Sequence, residues 1–592
     1  MTVRRAIRWS AFAAGALLSL APSAATAQSG ISDVIMHGRA HGVELPASTL
    51  EWIRAQGPDA FEFHGAGVWK GRVARVSERR AAFDAATRER PVRGATSVVT
   101  TQELQAAGAV LDGTFRMPLL LGLPNDRTAP HTVASYQDRM FGTGAGAYSL
   151  TAFYDEMSGG LFDFTGDVIG WGALPENSTF YYGSDPDDIF GRTPDFLQAT
   201  LAALDGGVDF GLYDNDGPDG VPNSGDDDGY VDLAAFMYSA HGRECGGPGI
   251  WAHRFRLSGW GVPNYATNDA AANGGSIIVR DYIIQGGLDC DGASLQHIGI
   301  VAHESGHGFG LPDLYDTCTS GVGCFDGSDG QGIGEWGLMG SGNWNEPHSP
   351  AHMVAHSKAF LGWIDVVTIM RDTALTIEPI LNTRAAYRIN IANAPNEYFL
   401  LENRQRLGSD GFLNGTGLLI WHVDSVRYAL REGSNRVNAD AAHKGLDLEE
   451  ADGLNQLDGN SRGDAGDSWP GSSGRTTFDA ASSPNSDTYG AGASNVSITD
   501  IVETAADDIT LFIDIPDPVT YGDVNGDDAV TIADLDIVMS YTIGATGPDY
   551  SAITVGDVDD DGDVDAVDAF IIHAYVDGKS TTGYRVGQQG FE

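Results

Sequence analysis

The stretch "VAHESGHGFGLPDLYD", beginning at Val301, leaves the backbone few paths. Its first half is apolar and small enough to wind into a buried helix, which advances about 100° per residue. His303 and His307 then share one face and can each aim a ring nitrogen at one ion. Glu304 is rotated to the side, where it can hold a water instead of the metal. Gly306, Gly308 and Gly310 are poor helix formers, Gly310 suits the left-handed conformation that ends a helix, and Pro312 prevents its resumption. The reversal offers Asp313 as an oxygen ligand. The pattern HExxHxxGxxD therefore reads as a zinc site of three protein ligands, His303, His307 and Asp313, with a fourth place open. Asp316 and Glu335 stand as rival third ligands. Two plainer readings explain less: histidines on a helix surface need no Gly and Asp at this spacing, and a purely structural ion gives Glu304 no role. His253 and His297 lack metal-ligand spacing and read as structural.

At 592 residues the chain exceeds one core, and about three to five units are expected. Residues 1–27 have the order of a secretory signal: Arg4, Arg5 and Arg8, a short apolar run, then Ala25-Thr26-Ala27, with cleavage expected after Ala27. That run is too short for a transmembrane anchor, and no later run reaches about 18 apolar residues, so a secreted, extracellular protein is expected. Cys245, Cys290, Cys318 and Cys324 all follow the signal, and an even count in an oxidising compartment favours two disulfides. Their pairing stays open, although Cys318 and Cys324 are close enough to clip a loop. A net charge of −46 argues against nucleic acid or an anionic membrane as partner. Its clustering points to cations.

Residues 28–112 form an Arg-rich leader, "WKGRVARVSERRAAFDAATRERPVR" at its centre. Over 113–368, strand-like runs such as "VDLAAFMYSA" and "GSIIVRDYII" alternate with helical ones, which reads as α+β. Over 369–516, short runs such as "TALTIEPI", "EYFLLEN", "GLLIWHVD" and "DITLFIDI" between Gly, Asn and Asp turns read as an all-β sandwich. Residues 520–578 hold an internal repeat, "GDVNGDDAVTIADLDIVMSYTIG" and "GDVDDDGDVDAVDAFIIHAYVDG", and 579–592 remain as a tail. In the repeat, Asp523, Asn525, Asp527 and Asp534 fall at positions 1, 3, 5 and 12 of a calcium loop, and Asp557, Asp559, Asp561 and Asp568 do so again. Gly562 fills position 6 of the second loop, where the first has Asp528. A third acidic run, "YDNDGPDGVPNSGDDDGYVD", offers Asp214, Asp216, Asp226, Asp228 and Asp232 to another calcium ion. "LEEADG" and "LDGNSRGDAGDSW" could hold a further ion, without assignable ligands.

The segments "IWAHRF", "IVAHESGHGFGLPDLYD", "GIGEWGLMGSGNW", "PAHMVAHSKAFLGW" and "YFLLENRQ…GLLIWHVD…LEEADG" stand in the order seen in the immune inhibitor A (thuringilysin-like) family of secreted bacterial zinc metalloproteases. The chain resembles that family over roughly 115–515. The resemblance implies a secreted endopeptidase acting on protein or peptide substrates, a zymogen with a propeptide over 28–112, a metzincin-like catalytic domain with Met339 in its methionine turn, calcium sites, and a following β-sandwich. It makes His303, His307 and Asp313 zinc ligands and Glu304 the general base that takes a proton from the attacking water. Tyr315 is a candidate donor to the oxyanion. No cysteine precedes Cys245, so latency by a leader thiolate is excluded. The repeat, with Asp at position 12 and one helix after each loop, resembles a type I dockerin, a small α-helical calcium-loop domain with a cohesin-like partner. Ile532-Ala533 and Ala566-Val567 replace the hydroxyl pairs usual in cellulosomal recognition. The alternative is a calcium-dependent adhesion or scaffold protein with a degenerate protease fold, against which the intact HExxH counts.

Overall fold

The computed structural model describes residues 70–87, 96–144, 148–185, 188–317, 330–433, 435–490, 492–516, 518–525, 529–543, 555–559, 563–582, 584–587 and 589–591. The expected signal peptide, Cys318, Cys324, Asp527, Asp528, Asp561 and Gly562 lie outside the described residues.

The described part of the leader is built into the body. Helix Lys70–Thr87 lays Val73, Val76 and Phe83 on the main core, and Arg80 donates to the carbonyl of Ala359 at 3.1 Å. Strand Thr96–Val99 (β1) pairs antiparallel with Asp365–Ile369, nearly 270 residues further on. Helix Thr101–Ala107 follows, opened by a capping box between Thr100 and Glu103 and closed by Gly108 at φ +67°.

The α+β region is centred on a five-stranded sheet of Gly113–Leu123 (β2), Phe162–Ala173 (β3), Ala234–His241 (β4), His253–Arg256 (β5) and, after the hairpin Tyr265–Ala270 (β6) and Ser276–Val279 (β7), Asp281–Leu288 (β8). The order is β3-β2-β4-β8-β5, with only the β5–β8 pair antiparallel. Successive side chains of a strand point to opposite faces. Leu119, Leu121, Ala235, Met237 and Ile283 therefore join the core that contains Val301 and Ala302, while Leu120, Phe236, Tyr238 and Ile284 join Phe196, Leu197 and Leu201 of helix Thr193–Leu204.

The β region has two sheets. The larger runs β1, Asp365–Ile369 (β9), Ala385–Asn390 (β11), Glu397–Arg404 (β12), Gly417–Asp424 (β13), Leu446–Leu448 (β14), with β9 and β11 parallel. The smaller joins Thr373–Ile377 (β10), Ile509–Asp514 (β16) and Ser497–Glu503 (β15). Phe399, Leu401, Leu418 and Ile420 face the smaller sheet across one core, while Leu400, Leu419, Trp421 and Val423 face the core that contains Val301 and Ala302. The large sheet is thus a shared middle layer, and residues 398–401 of β12 and 418–421 of β13 are unbroken apolar runs because both faces are buried there.

At the C-terminus, helices Ile532–Thr542 and Ala566–Val576 share a small core of Leu535, Val538, Ala569, Ile571, Ile572 and Val586. Strand Gln589–Phe591 (β18), from the stretch expected as a tail, pairs antiparallel with Pro518–Thr520 (β17) and closes this module.

Candidate metal centre

Helix Gly299–Gly308 is buried along its whole length. Tyr154 anchors it by donating to the carbonyl of Ala302 at 2.7 Å. The helix ends at Phe309, and Gly310 takes φ +87°, a conformation that strains any residue with a Cβ. The turn carries Asp313 back to the histidines: its Oδ1 lies 3.1 Å from His303 Nε2 and 3.5 Å from His307 Nε2. All three side chains are buried. One ligand atom from each lies within 4.8 Å of the other two.

Backbone carbonyls fix both imidazoles. His303 Nδ1 lies 2.7 Å from the oxygen of Leu338, and His307 Nδ1 lies 2.8 Å from that of Leu311. A carbonyl only accepts, so both Nδ1 atoms carry the proton and both Nε2 lone pairs are left for a ligand. Lone pairs of two nitrogens and a carboxylate, crowded in a buried space, repel unless a proton or metal ion lies among them. Two nitrogens and one oxygen with a further place open is a donor set that fits zinc.

Asn435 is the residue that sequence reasoning missed. Its Nδ2 donates to Asp313 Oδ2 at 2.5 Å, and its Oδ1 accepts from Asp313 N at 2.7 Å. It comes from the β region, 122 residues away, fully buried and at φ +53°. Nothing local in "GSNRVN" marks it. Met339 lies below the helix, and a Cβ on Gly306 would come within 2.5 Å of its Sδ, so the glycine between the two histidines makes room for this turn.

The rival third ligands lie in other contacts. Glu335 faces Arg462 at 3.4 Å and accepts from Asn414 at 3.1 Å, while Asp316 faces Arg436. His253 bonds to the Trp251 carbonyl and the Tyr282 hydroxyl, and His297 lies 2.6 Å from Arg139 and 3.4 Å from Asp289. Tyr315 is buried.

Residues 128–363 match the model of the immune inhibitor A peptidase M6 catalytic domain. The chain carries an immune inhibitor A-like M6 metalloprotease domain. Residues 521–577 match the dockerin type I domain, so a dockerin-type module ends the chain. Among curated proteins, the pre-pro-metalloprotease PrtV of two strains of Vibrio cholerae serotype O1 is 30% identical over 240 residues, 37% of this chain and 24% of PrtV. Immune inhibitor A of Bacillus thuringiensis subsp. alesti is 31% identical over 209 residues, 32% of this chain and 28% of that protein. The chain thus spans about a quarter of the length of the curated relatives it matches.

Within the M6 domain, the acidic run brings Asp214, Asp216 and Asp227 together, each offering an oxygen within 4.8 Å of the others. The sequence reading passed over Asp227 for its neighbours. Asp227 accepts from the amides of Gly217 and Ser224, whereas Asp226 bonds to Ser224 Oγ, Asp228 to the amide of Tyr230, and Asp232 to that of Asn215. Burial and the neighbouring aspartates, Asp227 first among them, push Asp214 up to about 8. In the dockerin-type module, Asp557, Asp559 and Asp568 converge. In the first loop Asp534 Oδ1 accepts from Asn525 N at 3.0 Å, and Asp523 is buried. Asp534 and Asp568 are fully buried at the starts of their helices. Cys245 and Cys290 form a disulfide beyond the ends of β4 and β8.

Proposed function

We propose that this chain is a secreted, calcium-stabilised zinc endopeptidase, made as a zymogen, whose dockerin-type module docks to a cohesin-like protein or surface. The observation that carries the catalytic part is the convergence of Asp313, returned by the turn after the helix, on His303 and His307 of the buried helix that also carries Glu304. The relatives that share this domain are a named metalloprotease and immune inhibitor A. Among the described residues no helix is long and apolar enough to cross a membrane.

His303, His307 and Asp313 would hold zinc, whose charge acidifies water and polarises a peptide carbonyl. Glu304 takes a proton from the attacking water and passes it to the leaving amine. Leu338 and Leu311 keep the two Nε2 atoms bare, and Asn435 holds the Asp313 carboxylate in its orientation. Asp214, Asp216 and Asp227 would hold one structural calcium ion, and Asp523, Asn525, Asp527, Asp534, Asp557, Asp559, Asp561 and Asp568 a pair in the tail module.

A casein zymogram of the processed chain tests the reading. Clearing should appear, vanish with 1,10-phenanthroline, which prefers zinc to calcium, and return on adding zinc. Zinc-loaded protein that clears nothing would favour the adhesion or scaffold reading.

A further inference from the structure

The loop after β14 carries another carboxylate group. Glu450, Asp452 and Asp467 each offer an oxygen within 4.8 Å of the other two. Glu450 and Asp467 are 2% and 0% exposed, and Asp452 is half-buried. Their hydrogen bonds come mostly from amides of their own loop. Glu450 accepts from Gln456 N at 2.7 Å and Leu457 N at 3.0 Å, and Asp452 accepts from Leu454 N at 2.9 Å. Asp467 Oδ2 accepts from Asp464 N at 2.9 Å and Trp336 Nε1 at 2.8 Å. Its other oxygen, Oδ1, is buried and has no hydrogen-bond partner among the described residues. A buried carboxylate oxygen without a donor is costly unless a cation takes its lone pair. The nearby Lys444 directs Nζ to Asp447 and Asp458 instead.

We propose that Glu450, Asp452 and Asp467 form a calcium site of the β region. Donors that are all oxygen, drawn from one acidic loop, suit a hard ion that accepts flexible geometry. Its place gives it a task. Asp467 and Arg404 hold Trp336 from both ends, at Nε1 and at the carbonyl oxygen. The same loop accepts from Gln331 N through the Leu457 carbonyl at 2.7 Å and from Glu335 N through the Arg462 carbonyl at 2.8 Å. Two residues past Trp336, the carbonyl of Leu338 orients His303, and Met339 follows. An ion here ties the loop that braces the floor of the zinc centre. Only this consequence rests on the zinc reading; the calcium site stands without it.

The test uses the full chain and a Glu450→Gln/Asp467→Asn double variant. Bound calcium and zinc are measured by elemental analysis after dialysis, and thermal unfolding is followed with calcium and with EGTA. The variant should bind one calcium fewer per chain and unfold at a lower temperature than the parent in calcium. In EGTA it should unfold at the same temperature or higher, because the amides relieve carboxylate repulsion. Equal calcium in parent and variant would overturn the proposal, whatever happens to zinc. So would an equal drop in unfolding temperature in both buffers, which marks a lost contact to Trp336 and nothing more. Should the double variant fail to fold, Asp452→Asn at the half-buried ligand carries the same comparison, with lost or unchanged calcium decisive in the same way.

Discussion

Asn435 and Asp313 share two hydrogen bonds, and this pair ties the candidate metal centre to a second structural region. An outer carboxamide that fixes a ligand carboxylate affects metal affinity without touching the metal. Asn435→Ala should weaken zinc binding by about 10–100-fold, read by competition with a chromogenic chelator, while the fold stays intact by circular dichroism. Unchanged affinity would mean that the turn at Gly310 orients Asp313 unaided. The contrast with the ligands explains what was legible at this scale. His303, Glu304, His307 and Asp313 are set by helix angle and a glycine stop within eleven residues, all local properties. Asn435 meets them only through the long-range fold. Asp227 was hidden differently: in "GDDDG" three neighbouring aspartates are chemically equal, and only the path of the loop decides which one turns inward.

The strands of the β region were legible as strands from their apolar runs, but their layering was not. Nothing in "GLLIWHVD" says that Leu419 and Trp421 face the core that contains Val301 and Ala302 while Leu418 and Ile420 face the smaller sheet. Nor could the sequence show that β1, from the leader, supplies the edge strand beside β9. That edge places Thr96–Val99 in the finished sheet, inside the stretch expected as propeptide. Next to the sheet core lies a titrating group with a signed consequence. His422 on β13 is buried between Glu397 of β12 at 2.9 Å and Glu449 at 3.3 Å, with Tyr489 stacked on it at 4.4 Å. Burial works to lower its pKa, but the two carboxylates outweigh burial and raise it to about 9 from 6.5. A base raised on folding contributes stability that is fully present below about pH 6.5 and is lost as pH rises through about 9. Thermal unfolding in calcium should therefore fall in temperature across that window, and His422→Gln should flatten the fall. A profile unchanged by the substitution would remove His422 from the account.

At the scale of the molecule, a body that carries the M6-type domain is joined to a small module with its own core and its own closing strands. The repeat was legible because aspartates at alternate positions recur with a fixed period; the closure was not, because "QQGFE" has no pattern that points to Pro518–Thr520. Clustered carboxylates repel in the absence of metal, and ion binding is then coupled to folding. The isolated segment 518–591 should gain helix on adding millimolar calcium, seen by far-ultraviolet circular dichroism, and a spectrum indifferent to calcium would contradict the loop assignment.

The central claim is that three side chains hold zinc while Glu304 moves protons. Its most direct test is peptide hydrolysis and zinc content measured together on processed Glu304→Gln protein. The account predicts full zinc occupancy with activity lowered by at least about 100-fold, the lower range for loss of a positioned acid–base group. Wild-type activity in that variant, at full zinc, would contradict it.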